Sequence, residues 1–274
     1  QRQMCIRDSV EGVFRNSSGV LFAVGSMAPL FRRATNLWAA YSLGSRGQCS
    51  VSPGHLPIIS VGRHIYELAN QGWQRIASAR GKITLLWAST TKRFYVQLNN
   101  GQNNSQLAVG GRNGAWRSLP LTLADDDQIR LLVGIPGKHA VAISEKNLVY
   151  ALGPKKPRRI ALGPELRGLT IHSAAAIGGR LLLAGQVGAA PTARSVLAEI
   201  GPTQVTLAEE LWPLEADDYF AVLLLDASKR LLVASHHGQL RVQEVDGSWR
   251  NGKLVIDVPP PPIDFSGRGP ARAR

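Results

Sequence analysis

The chain has 274 residues, 44% of them hydrophobic, 19% charged and only 6% aromatic, with 28 glycines and 16 prolines. It is long and apolar enough to bury a substantial core, which excludes disorder throughout, and no uncharged apolar run approaches the ~20 residues of a bilayer-spanning helix. A soluble, turn-rich globular protein is expected, and the formal charge of +13 favours acidic partners, whether protein, nucleic acid or anionic lipid.

In chain order, the first nine residues stand apart. Gln3-Met4-Cys5-Ile6-Arg7-Asp8-Ser9 resembles a translated sequencing adapter, so residues 1–9 are set aside as a non-native scar that leaves any export signal unread. Without Cys5 the remaining cysteine is Cys49, which cannot form an internal disulfide. It fits a reducing compartment such as the cytoplasm, in a half-buried strand.

From Val13 to Val258, short apolar runs alternate with Gly, Asn, Asp, Ser and Lys turns, and none keeps a helical stripe over three turns. The runs group in fours. The first set is Val13–Asn16, Val20–Val24, Leu30–Arg33 and Leu37–Ser42, and the second is Ser50–Pro53, Ile58–Val61, Ile65–Ala69 and Trp73–Ala77. Ile83–Ser89, Phe94–Asn99, Gln106–Gly110 and Trp116–Leu121 follow, then Arg130–Ile135, Ala140–Ser144, Leu148–Leu152 and Arg159–Leu162. The last two sets are Leu169–Ile177, Leu181–Val187, Val196–Ile200 and Gln204–Leu211, and Tyr219–Asp226, Leu231–Ser235, Gln239–Val245 and Trp249–Ile256.

One element recurs at strand starts: Gly72-Trp73, Gly114-Ala115-Trp116 and Gly247-Ser248-Trp249. The tryptophans are 43 and then 133 residues apart, one and three steps of about 44, which is the length of a four-stranded propeller blade. On these repeats the chain resembles the broad β-propeller repeat superfamily over about 245 residues. It lacks a Trp-Asp signature and a kelch double-glycine register, and its Gly-x-Trp turns are only similar to sialidase-type Asp-boxes. The resemblance therefore implies a fold and carries no catalytic residue across. The expected architecture is all-β: about six four-stranded antiparallel blades over residues 10–258, as a closed or an incomplete ring, with a β-sandwich or tandem small barrels as the alternative. The tryptophans are expected to pack between blades. Pro259-Pro260-Pro261-Pro262 opens a stiff exit, and 259–274 reads as a Pro/Gly/Arg-rich disordered tail.

In a meander, the turns after the first and third strands share one face of the disk. Here they carry Lys92, Arg93, Lys138, Arg180, Lys229 and Arg230, with Arg112, Lys155, Lys156, Arg158 and Arg159. The other face receives Asp125, Asp126, Asp127, Asp217 and Asp218 in the blade connections and His236 and His237 in a second-to-third turn. We call these the lower and upper faces.

The expected function is a non-catalytic interaction module whose basic lower face docks an acidic protein, as a monomer or within a larger complex. Nucleic acid is less well supported, because the basic turns carry no interleaved aromatic rings for base stacking. The alternative is an enzyme or a lectin-like small-molecule or carbohydrate binder using the upper face at the channel mouth. No Gly-x-Ser-x-Gly elbow is present, and no ligand spacing points to a metal or cofactor.

Overall fold

The computed structural model describes residues 10–15, 20–25, 30–34, 37–41, 43, 49–52, 56–99, 105–124, 127–138, 140–153, 156–189, 192–214, 218–225, 230–235, 237–244 and 246–252. They form six four-stranded antiparallel meanders. Blade one is β1 (Val10–Arg15), β2 (Leu21–Gly25), β3 (Leu30–Ala34) and β4 (Leu37–Tyr41). Blade two is β5 (Cys49–Val51), β6 (Ile58–Val61), β7 (His64–Ala69) and β8 (Gly72–Ser78); blade three is β9 (Lys82–Thr90), β10 (Arg93–Asn99), β11 (Ser105–Gly111) and β12 (Trp116–Ser118). Blade four is β13 (Ile129–Gly134), β14 (Ala140–Ser144), β15 (Val149–Ala151) and β16 (Arg158–Leu162); blade five is β17 (Leu169–Ile177), β18 (Arg180–Val187), β19 (Arg194–Ile200) and β20 (Gln204–Glu210). Blade six is β21 (Phe220–Leu225), β22 (Leu231–Ser235), β23 (Leu240–Gln243) and β24 (Trp249–Asn251). The chain is an all-β propeller, as its repeats imply.

Residue pattern follows position in the blade. The second strand is sandwiched between neighbouring sheets, so β14 is buried at all five residues and β10 at five of its seven. The outer strand faces water on one side, and β20 accordingly alternates between sheltered and exposed residues. The first strands stack in sequence, β1 on β5, β5 on β9, β9 on β13, β13 on β17 and β17 on β21. Apolar side chains fill the spaces between blades, including Ile58, Ile83 and Phe94 between blades two and three and Ile143, Ile171 and Leu183 between blades four and five.

An extra residue interrupts the first strand of several blades at a similar level. Register shifts fall at Thr84, Arg130, His172 and Ala221. A bulge of this kind re-aims the side chain it inserts.

The recurrent tryptophans pack between blades. Trp73 meets Phe22 of blade one edge to face at 6.1 Å, Trp116 Nε1 donates to Ser78 O at 2.8 Å, and Trp249 Nε1 donates to Glu209 Oε1 at 2.6 Å. One joint has no counterpart in the sequence pattern: the outer strands of blades four and five pair in parallel at Ala161–Gln204 and Leu162–Val205. This rim strap is held further by the Gly163 N–H on Val205 O at 2.8 Å and by the Leu207 N–H on Glu165 Oε1 at 3.2 Å.

Candidate partner-binding pocket

A cavity of about 710 Å³ opens on the lower face across blades three, four and five. Its wall holds Arg93 at the start of β10, Lys138 in the β13–β14 turn, Lys156 and Arg158 at the β15–β16 turn, and Arg180 at the start of β18. These five of the eleven basic candidates come together because equivalent turns of successive blades lie side by side. Apolar residues including Ile135, Val141, Leu152, Ile160, Leu181 and Ile200 also line it, together with Tyr95 and one carboxylate, Glu199.

Local contacts fix the wall. Gly137, at φ 73°, closes the turn ahead of Lys138, and its N–H donates to Ser89 Oγ of the previous blade at 3.2 Å. The Arg93 guanidinium lies 5.4 Å from the centre of the Tyr95 ring, two residues along the same face of β10. Arg158 Nη2 donates to Pro202 O at 2.6 Å. Arg180 donates from Nε and Nη2 to Glu199 Oε2 at 2.9 and 2.6 Å, and these hydrogen bonds raise its pKa above the ordinary guanidinium value. Lys138 and Lys156 are exposed and make no ion pair among the described residues. Tyr95 and Glu199 were not singled out from the sequence. The two-residue spacing from Arg93 would have flagged Tyr95, whereas Glu199 needs the β18–β19 register.

The other basic candidates lie elsewhere. Lys92 is exposed in the β9–β10 turn, and Arg112 pairs with Glu67 while donating to Thr91 O at 2.7 Å. Arg159, opposite Tyr150 on β15, lines a separate cleft with Arg167. Arg230 pairs with Glu244 at 3.3 Å, a carboxylate it shares with Arg250. Lys155 and Lys229 lie outside the described residues.

On the upper face, Asp127 and Asp218 occupy equivalent places in blades four and six. Both are buried, and each ties a second-to-third turn: Asp127 Oδ1 accepts the Lys146 N–H at 3.1 Å, and Asp218 Oδ1 accepts the His237 and Tyr219 N–H groups at 3.0 and 2.9 Å. Burial alone would raise the Asp218 pKa, but hydrogen bonds from the Ser235 hydroxyl and those two N–H groups hold it below the ordinary carboxylate value. Ser144 and Ser235, each 17 residues after its aspartate, accept the Leu148 and Gln239 N–H groups at 3.2 and 3.1 Å. That repeated Asp-to-Ser spacing is readable in the sequence. His237 is exposed, and Asp125, Asp126, Asp217 and His236 lie outside the described residues. Among the described residues, no three His, Cys, Asp or Glu side chains are grouped to hold a metal, and no helix is long and apolar enough to cross a membrane.

No family model and no curated protein matches the chain. Solved structures do. It is similar to YCF48 bound to a D1 peptide, with a TM-score of 0.56 and 16% identity over 88% of this chain and 82% of that one. YCF48 from Cyanidioschyzon merolae gives 0.57 and 13% over 89% and 86%. The extracellular domain of a hybrid two-component system from B. thetaiotaomicron gives 0.58 and 11% over 94% of this chain but 35% of that one. At these identities the likeness is one of fold, and it places the chain among β-propellers.

Proposed function

We propose that this propeller is a non-catalytic interaction module that docks an acidic segment of a protein partner in the lower-face pocket. The observation that carries the reading is the convergence of Arg93, Lys138, Lys156, Arg158 and Arg180 around an apolar lining. Carboxylates would be attracted to the rim while an apolar side chain enters between them. A structural neighbour of the same fold, YCF48, has been solved with a peptide bound, which supports a peptide as the type of occupant.

The test is a titration with a synthetic Asp/Glu-rich peptide carrying one leucine, read by fluorescence anisotropy. Lys138→Glu with Lys156→Glu should weaken binding about tenfold or more and flatten its salt dependence, because both side chains are exposed and make no ion pair among the described residues. Equal binding by the wild type and the double variant would remove the pocket from consideration.

A further inference from the structure

Among the described residues, the carboxylates are largely committed within the protein. Glu67 holds Arg112, Glu199 holds Arg180, Glu210 holds Arg194, and Glu244 holds Arg230 and Arg250. Glu165, Asp127, Asp218 and Asp246 accept backbone N–H groups. Against that background, a second basic cluster, besides the lower-face pocket, makes no ion pair among the described residues.

It lies at the junction of blades two and three, away from the lower-face pocket. The β6–β7 turn presents Arg63, the connection leading into β9 presents Arg80, and Lys82 opens that strand. The two segments are fastened together by the Ala79 N–H on Arg63 O and the Ile83 N–H on Gly62 O, both at 2.8 Å. Arg75 on β8 and His64 on β7 complete the group, and His64 Nδ1 lies 2.8 Å from Ser78 Oγ, its partner across the strand pair. Arg63, Arg75, Arg80 and Lys82 are exposed, and none makes an ion pair among the described residues.

We propose that this junction is a second binding site, for a phosphate dianion carried on a protein segment. Basic side chains presented from adjoining segments attract a compact doubly charged anion more strongly than a single carboxylate, and guanidinium groups can bind it bidentately. Nucleic acid fits less well: of the neighbouring rings, Tyr66 and Trp73 are buried, and Trp116 is half-buried with its Nε1 committed to Ser78 O. His64 has a role in the same site. Burial, Arg75 and Arg63 together lower its pKa, so it is neutral at neutral pH while the site is empty. A bound dianion would reverse that balance and draw a proton onto the ring.

The probe is a short phosphoserine peptide, compared with its unphosphorylated form by calorimetry near neutral pH in two buffers of different ionisation enthalpy. The phosphorylated peptide should bind roughly tenfold more tightly or better. Arg63→Ala with Arg75→Ala should abolish the difference, Arg63→Lys with Arg75→Lys should retain part of it, and Lys138→Glu with Lys156→Glu should leave it intact. The wild type should take up more protons on binding than His64→Gln. Unchanged thermal midpoints would show that the variants fold. Equal binding of the two peptides, or a difference that survives the double alanine variant, would overturn the proposal. So would equal capture of anionic lipid vesicles or single-stranded RNA by this junction, and equal proton uptake would remove His64 from it.

Discussion

His172 shows how one residue can couple three blades. Its Nε2 lies 3.4 Å from Gln186 Oε1, its ring stacks 4.8 Å from Tyr219 of blade six, and Gln186 in turn donates to Asp218 O at 3.1 Å. On the blade-four side, Arg130 donates to Asn147 Oδ1, which also accepts the Ile171 N–H, and to Ile171 O beside the histidine. Burial is the main cause of the lowered His172 pKa, and Arg130 adds to it while the hydrogen bond to Gln186 opposes it. A base depressed in the folded state takes up a proton more readily when unfolded, so stability should fall as pH drops below about 6.5. Urea unfolding of His172→Gln against wild type should show a flatter profile over that window; parallel profiles would contradict the assignment. Asp218 has a lowered pKa as a carboxylic acid, so its contribution is present above the unfolded value of 3.8 and is lost as pH falls through the folded one. Asp218→Asn should cost about 1–2 kcal/mol at neutral pH, because the buried turn loses its charged acceptor.

At the scale of the element, the Gly-x-Trp turn is a self-contained device. Asp246 Oδ1 accepts the Ser248 N–H at 2.9 Å and its hydroxyl at 2.6 Å, and Asn113 Oδ1 accepts the Ala115 N–H at 3.2 Å in the matching turn. The glycines between, Gly247 and Gly114, sit at φ 86° and 72°, and each turn delivers its tryptophan into a blade interface. Gly247→Ala should therefore cost about 1 kcal/mol in denaturant unfolding, although a Cβ there meets open space. These elements are legible in the sequence because local residues alone specify them. The β6, β17 and β22 strands run over the residues that their apolar runs mark, Ile58–Val61, Leu169–Ile177 and Leu231–Ser235. The parallel joint of β16 with β20 is not legible, because it depends on how two blade rims meet and leaves no periodic trace. The same holds for the Arg180–Glu199 pair, whose partners are 19 residues apart and meet only across the β18–β19 ladder.

At the scale of the whole molecule, the propeller turns a scattered set of basic turn residues into surfaces. Arg93 and Arg180 are 87 residues apart and share one pocket wall because their blades are stacked around a common axis. Sorting turns by face brought out Lys138, Lys156 and Arg158 alongside them, but could not tell these three from Arg112, Arg180 and Arg230, whose charges are answered by Glu67, Glu199 and Glu244. Charge sign is read from sequence, whereas charge left unanswered depends on register and rotamer. The measurement that bears most directly on the proposed module is the salt-dependent affinity of the wild type and of Lys138→Glu/Lys156→Glu for the acidic leucine-bearing peptide. The account predicts binding by the wild type that weakens steeply with salt and falls about tenfold or more in the variant. Binding that is unaffected by both salt and charge reversal would contradict it.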